Sequence, residues 1–451
     1  MLTVESFWRD FSKHQQHNQA DKRYLLAYSG GCDSHVLLHL FSELQRLKYI
    51  DSISAIHVNH QLHDDSARWA EHCTQQCLQY DIACDVISVT VGKNSGIGLE
   101  AAARKARYAA LQNFMTTQTI LLTAQHADDQ VETFLLQSLR GGGVKGLASM
   151  PMLKPFATGF LCRPLLHVTQ TKISEYAIAN KLNWVEDPSN ASTNFDRNFL
   201  RQNVIPVLKQ RWPSLNKTVH RLTQHQAEAA SLLDDLAVID FATVQVDNTR
   251  VSIERLKELS LNRQKNVLRY WIETQNSLTL PDSVHLMRIL NEVVVAAEDS
   301  QPSVSWNDTI IRRFRGKLFA DRKVFSTAPI SIDNWQPDKV FALYNTGNNA
   351  SNSLQLKTAE TLGEGLSVEK VANKNVSIRF REGGEVCCPH GRGPHQHKLK
   401  KLLQEWDVPP WQRNSIPLVY VDGLLAQVVG YCVCEPFAAQ STEPGYQITV
   451  T

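Results

Sequence analysis

Six residues, Ser29-Gly30-Gly31-Cys32-Asp33-Ser34, constrain this chain more than any other stretch. They follow residues 24–28 (Tyr-Leu-Leu-Ala-Tyr), which read as a buried strand, and precede residues 35–41, which read as a helix. A glycine pair between a strand end and a helix start makes a cradle of backbone N–H groups. The helix N-terminus adds partial positive charge, so the turn suits a phosphate. No Gly-Lys-Ser/Thr follows the glycines, so no lysine reaches the phosphates as in a Walker loop. A carboxylate, Asp33, stands inside this anion site instead. A bare carboxylate repels a triphosphate, and a hard cation such as Mg2+, shared by carboxylate and phosphate oxygens, resolves the conflict.

The rest of the chain frames this loop. From residue 23 to about 140, short apolar runs (53–58, 86–91, 119–124) alternate with helical patterns (64–78, 99–114, 128–139). That alternation predicts an α/β fold with a doubly wound parallel sheet, whose ligands bind beyond the carboxyl ends of the strands. At 451 residues the chain exceeds a single core, so several domains are expected. Residues 1–215 read as the first domain, 216–325 as a mostly helical one and 373–451 as a small α+β domain. The polar segment 326–372 reads as a linker or an edge of the last domain. No apolar run approaches the roughly 20 residues that span a bilayer. Nine scattered cysteines suit reduced thiols in a cytoplasm better than a disulfide framework. Net charge is 47 − 45 = +2, so an RNA surface has to come from local basic patches.

Further clusters carry chemistry. His126-Ala127-Asp128-Asp129-Gln130-Val131-Glu132-Thr133 comes directly after a strand, and helical spacing sets His126 beside Asp129. Acidic residues also suit a helix first turn for dipole reasons alone. The sharper reading is a second carboxylate group facing the nucleotide, with Asp33 and Asp129 as Mg2+ ligands and His126 as ligand orienter or proton relay. Arg104 and Arg107, three apart on a helix, could neutralise charge on a leaving pyrophosphate. Residues 139–147, with Arg140, Gly141 and Gly143, read as a mobile glycine loop able to approach a substrate closely. Residues 186–190 (Glu-Asp-Pro-Ser-Asn) are a turn, after which Arg197 and Arg201 stand four apart. Toward the rear, residues 309–317 hold Arg312, Arg313, Arg315 and Lys317 without an acid. Arg392, Lys398, Lys400 and Lys401 form a second basic group, near Trp406 and Trp411. Basic groups reach phosphates while aromatics stack on bases. Cys387-Cys388 and the nearby His390, His395 and His397 match no standard zinc spacing, and a basic loop touching RNA is the preferred reading.

The loop resembles that of the N-type ATP pyrophosphatases, the PP-loop superfamily. The ordered series Ser-Gly-Gly-x-Asp-Ser, Glu-Ala-x-Ala-Arg-x-x-Arg-Tyr, His-x-x-Asp-Asp-Gln-x-Glu-Thr, Arg-Gly-x-Gly-x-x-Gly-Leu and Glu-Asp-x-Ser-Asn…Arg-Asn-x-x-Arg resembles the tRNA(Ile)-lysidine synthetases over residues 20–215, and more weakly to the end. The resemblance implies ATP and Mg2+ as cofactors and free L-lysine and a tRNA(Ile) with a CAU anticodon as partners. It implies that ATP adenylates the wobble cytidine, and that lysine then displaces AMP. It implies that Ser29, Gly30, Gly31, Cys32, Asp33 and Ser34 hold ATP. Asp33, Asp129, Glu132, His126, Arg104, Arg107, Arg197 and Arg201 would serve catalysis, and Arg140, Gly141 and Gly143 a lysine pocket. It implies rear domains that bind tRNA and leaves a homodimer open. Cys32 fills the variable position and is given no chemistry. The nearest rival, a PP-loop tRNA thiolase, would need paired catalytic cysteines or an iron–sulfur cluster, and the chain has no Cys-x-x-Cys.

Overall fold

A computed structural model describes residues 2–13, 22–91, 99–186, 195–247, 249–274, 278–297, 300–323, 331–336, 341–342, 355–393 and 395–450. The sequence features at 96–98, 187–190 and 345–352 lie outside these. The chain divides into two compact units, residues 1–236 and 237–451.

In the first unit, α1 (Val4–Ser12) precedes β1 (Arg23–Ala27), α2 (Cys32–Arg46), β2 (Ile53–Asn59), α3 (Ser66–Gln79), β3 (Ala83–Ser88), α4 (Leu99–Gln112) and β4 (Thr119–Leu122). Next come α5 (Ala127–Leu139), α6 (Val144–Leu147), the hairpin β5 (Leu153–Phe156) and β6 (Gly159–Cys162), and α7 (Gln170–Ala179). A run of α8 (Asp196–Phe199), a π-helical turn (Leu200–Val204) and α9 (Ile205–Arg211) leads into α10 (Leu215–Val244), which crosses into the second unit. Among the described residues the sheet has the order β3-β2-β1-β4-β6-β5, parallel except for β5. The central strands are apolar on both faces: all four residues of β4 and Tyr24, Leu25 and Leu26 of β1 are buried, as a sheet covered by helices requires. Gly159 opens β6 because a Cβ there would lie 2.4 Å from the Thr119 carbonyl oxygen. The third strand spans 83–88 rather than 86–91, and the β5–β6 hairpin was not anticipated.

In the second unit, β7 (Gln245–Asp247), β8 (Arg250–Ser252), α11 (Ile253–Glu258), α12 (Leu261–Thr274) and α13 (Ser283–Arg288) are followed by β9 (Ser303–Trp306), β10 (Thr309–Phe314) and β11 (Lys317–Arg322). The helices pack against a five-stranded antiparallel sheet, β7-β8-β11-β10-β9, around buried Trp271, Leu268 and Ile311. The remainder comprises β12 (Phe341–Ala342), β13 (Gln355–Leu362), β14 (Leu366–Ser367), α14 (Val368–Val371), β15 (Val376–Arg379), β16 (Val386–Cys387), β17 (His397–Lys398) and α15 (Leu399–Glu405). It ends with β18 (Leu418–Val421), β19 (Leu424–Val428), β20 (Cys432–Val433) and β21 (Pro444–Val450). β13 pairs with β21 along its length, which ties 355–362 to the end of the chain. Among the described residues, no helix is long and apolar enough to cross a membrane.

Candidate active site

The glycine loop leaves β1 at its carboxyl end. Gly30 has φ +84°, and a Cβ there would lie 2.9 Å from buried Cys73 Sγ, so glycine is required. Gly31 is the N-cap of α2 and, among the described residues, no side-chain cap closes that end. First-turn N–H groups left uncapped are suited to receive an anion. Ser34 Oγ donates to the Gly31 carbonyl at 2.9 Å and lies 3.0 Å from Ser29 Oγ, and Val185 N donates to the Gly30 carbonyl at 2.9 Å. Cys32 opens the helix half-buried, its thiol pushed up to about 11 by burial and then by Asp33 and Glu186.

The neighbouring strand β4 delivers the second cluster. His126 caps α5: its Nδ1 accepts from Asp128 N at 3.2 Å, and the Asp129 carboxylate accepts from His126 N at 3.0 Å. This reciprocal cap is the local reason for the acidic first turn. It also aims the other ring nitrogen, so that His126 Nε2 lies 3.5 Å from Asp33 Oδ2 and 3.4 Å from Asp129 Oδ2. Burial lowers the proton affinity of His126, but the bond to Asp33 and the charges of Asp129, Asp33 and Asp128 outweigh it and raise its pKa. The opposing cap bond to Nδ1 is one long neutral contact, worth about 1 kcal/mol. Burial pushes Asp33 up, and the bond and charge of His126 pull it below the usual carboxylate range. Asp33 Oδ1 is buried and accepts no hydrogen bond among the described residues. Two carboxylates converging on one point, one with an unused oxygen, fit a hard cation completed by phosphate oxygens.

Glu132, with its side chain 1% exposed, is held by two arginines. Arg201 Nε donates to Oε1 at 2.6 Å and Nη2 to Oε2 at 3.0 Å, while Arg197 Nε lies 3.0 Å from Oε2. Arg201 Nη2 also donates to Asp129 Oδ1 at 3.0 Å, and Arg197 Nη2 to Thr133 Oγ1 at 3.1 Å. Asp33, His126, Asp129, Glu132, Arg197 and Arg201 thus form one connected polar network. Its anchor has no local signature in the sequence. Asp128 contacts Lys209 of α9 and accepts from Gln170 N at 2.8 Å, which fixes the start of α5 against α7 and α9.

The remaining candidates in this unit stand apart from that network. Arg107 Nε donates to His60 Nε2 at 3.1 Å, just past the carboxyl end of β2. Arg104 lies over the Tyr108 ring, 5.0 Å from its centroid. Arg140 is exposed, 3.7 Å from Asp196 Oδ2. Gly141 has φ +69° with open space around it, and Gly143 caps α6.

Three family models match the chain: a PP-loop domain over residues 4–208, a TilS substrate binding domain over 252–319 and a TilS substrate C-terminal domain over 376–450. The tRNA(Ile)-lysidine synthase of Coxiella burnetii is 40% identical over 431 residues, 96% of this chain and 94% of that protein. The chain belongs to the tRNA(Ile)-lysidine synthase family. Synthases of Legionella pneumophila (strain Paris) and Methylococcus capsulatus are 36% and 38% identical, over 92% and 90% of this chain and 93% and 91% of theirs. Membership makes this a ligase-type enzyme with a PP-loop domain that uses ATP, and with substrate domains that take tRNA.

The synthase's rear basic groups are rearranged relative to the sequence reading. Residues 309–314 form a strand, so Arg312 and Arg313 point to opposite faces. Arg313 is 5% exposed, and its Nη1 donates to the carbonyls of Val293, Val294 and Ala296 at 3.5, 3.2 and 2.6 Å. It is thus committed to the carbonyl end of the helical segment at residues 289–294 and turned away from solvent. Arg312 pairs with Asp321 at 3.2 Å, and Arg315 and Lys317 share Asp407, so this patch is not acid-free in space. Trp411 packs on Phe314, Phe319 and Arg312. Lys398, Lys400 and Lys401 are exposed at the start of α15, whose apolar residues Leu399, Leu402 and Leu403 are buried beneath them. Arg392, also exposed, pairs with Glu405 at 2.7 Å.

Proposed function

We propose that the enzyme joins free L-lysine to C2 of the wobble cytidine in a tRNA(Ile) with a CAU anticodon, through an adenylated base and with release of AMP and pyrophosphate. The observation that carries this reading is the convergence of Asp33, His126 and Asp129 beside the unshielded N-terminus of α2. Ser29 to Ser34 are the proposed ATP contacts. Mg2+ held by Asp33 and Asp129 would neutralise the pyrophosphate as it leaves. Adenylation converts the poor leaving oxygen at C2 into a good one. The lysine ε-amine must then shed a proton before attack. His126, Asp129 and Glu132 are the candidate groups, and Glu132 is already gripped by two arginines. Arg197 and Arg201 are proposed to serve catalysis by binding phosphates or the anticodon. Arg104 and Arg107 are proposed for phosphate or anticodon contact, and Arg140 with Gly141 and Gly143 for the lysine pocket.

In this reading residues 1–215 form the catalytic domain, 216–325 and 373–451 the tRNA-binding domains, and 326–372 an edge of the last. Arg312, Arg315, Lys317, Arg392, Lys398, Lys400 and Lys401 are the proposed tRNA contacts. Nine free cysteines support a reducing cytoplasmic location, and a homodimer is proposed without an assigned surface. The test incubates the protein with ATP, Mg2+, radiolabelled lysine and tRNA transcript. Lysine is expected to enter the tRNA, and to stop entering when the wobble cytidine becomes uridine. Incorporation without ATP, or none with all components, would refute the proposal.

A further inference from the structure

Hairpin β16–β17 and strand β20 bring three thiols together. Cys387 Sγ lies 3.0 Å from Cys434 Sγ and 3.5 Å from Cys432 Sγ. The backbone fixes both sides of the cluster independently. Cys434 N donates to the Ala426 carbonyl at 2.8 Å and Glu435 N to the Cys388 carbonyl at 2.7 Å. Exposure separates the three: Cys387 and Cys434 are each 2% exposed, whereas Cys432 is half-buried. Their acidities diverge too. Hydrogen bonds from Cys387 and Cys434, helped by the charge of Arg392, hold the Cys432 thiol well below the ordinary range against the effect of burial. Cys387, in contact with both neighbouring thiols, is pushed up by those contacts and by burial. A reachable thiolate beside a buried protonated thiol is the pairing that separates an attacking cysteine from a resolving one.

We propose that Cys432 is a peroxide-reactive cysteine and that Cys387 resolves its oxidised form into an intrachain disulfide. The Cys432 thiolate attacks one oxygen of hydrogen peroxide, the O–O bond breaks, and hydroxide leaves. Sulfur is oxidised by two electrons to the sulfenic acid, and the peroxide is reduced. Cys387 then gives up its proton, and its sulfur attacks the sulfenic sulfur. The S–S bond forms as hydroxide leaves, taking that proton as water. Overall, two thiols and one peroxide give one disulfide and two waters. Cys434 is the poorer partner because it lies two residues along an extended chain from Cys432. That places the Cα atoms roughly 6.6 Å apart, at the edge of the disulfide range. A soft metal is the competing occupant, but among the described residues no group of three or more His, Cys, Asp or Glu is placed to hold one. The inference rests on this cluster alone and is independent of the reaction assigned to the first unit.

The test uses the full chain, reduced and then treated with one equivalent of hydrogen peroxide. Wild type should lose two of its nine thiols and yield a dithiothreitol-reversible 387–432 cross-link by peptide mapping. In Cys387→Ser, dimedone should trap the sulfenic acid on Cys432 instead. A measurement on wild type alone guards against a misfolded variant. Between pH 8 and pH 6, iodoacetamide alkylation of an ordinary thiol slows about 80-fold as its thiolate fraction falls. Alkylation of Cys432 should slow less than about threefold over that range. Cys84 is the internal comparison, because Cys77 alone lowers it where two thiols lower Cys432. Equal reactivity across the half-buried cysteines, a 387–434 cross-link, or stoichiometric zinc released by thiol reagents would each overturn the proposal.

Discussion

Replacing Glu132 with Gln tests whether the buried carboxylate is the keystone of the polar network. Gln keeps the shape but offers one carbonyl oxygen, whereas Glu132 accepts from Arg201 on both oxygens and pairs with Arg197 on Oε2. The amide NH2 would face an arginine N–H, donor against donor. Breaking a fully buried ion pair costs roughly 3–5 kcal/mol. Here the side chains of Arg197 and Arg201 are 27% and 43% exposed, so water rehydrates them and the loss is discounted to about 2 kcal/mol. For a compact unit of 236 residues, each kcal/mol shifts Tm by about 2–4 °C, which predicts a fall of about 4–8 °C. Differential scanning calorimetry reads that shift directly. A double-mutant cycle with Arg201→Met isolates the pair, and the coupling should exceed about 1 kcal/mol. Activity should fall more steeply than stability, by about 10²-fold, because freed guanidinium groups drift from their position beside Asp129. A Tm within about 1 °C of wild type, or additive single effects within about 0.5 kcal/mol, would refute the network argument.

Four further outcomes follow from the geometry of the two units. Asp33→Asn should abolish AMP formation while tRNA affinity stays within about twofold of wild type, and loss of both would make Asp33 structural. His126 has its folded pKa raised, so its stabilising contribution is complete below the ordinary value of about 6.5 and is lost as pH rises through the raised value. NMR titration of labelled histidine should place its midpoint above 6.5 and move it down in Asp33→Asn; a midpoint at or below 6.5 in wild type would refute the sign. Arg313→Met should destabilise the second unit by about 2 kcal/mol through three orphaned carbonyls and leave the salt dependence of tRNA binding unchanged. Lys400→Ala with Lys401→Ala should instead weaken binding and flatten its salt slope by about 2, and a change in that slope for Arg313→Met would return it to the interface.

What could be read from the sequence, and what could not, divides by distance along the chain. The parallel sheet was legible because each buried strand carries its own apolar run. The exceptions are the edge strands β3 and β5 and the short inner strand β6. β3 fully buries none of its residues, and exposed β5 contains Pro155, so neither advertises a strand. The loop at 29–34 and the acidic turn at 126–133 were legible because each cluster is complete within eight residues. Helical spacing alone set His126 beside Asp129, and the structure joins both to Asp33. Lys209, which anchors Asp128 from 81 positions away, left no local trace. The rear patch failed for another reason. Arg312 and Arg313 are adjacent in sequence but lie on a strand, where neighbours face opposite ways, so a count of basic residues overstated one surface. The residue types at 309–314 do not alternate, so the period-two burial emerges only once the strand is in place. The thiol cluster obeys the same logic: Cys387 is suggestive beside the histidines that follow it, but its actual partners, Cys432 and Cys434, arrive 45 and 47 residues later through strand pairing. A residue's chemistry could therefore be predicted wherever its partners lie within one turn or one loop, and elsewhere only after the sheet register was known.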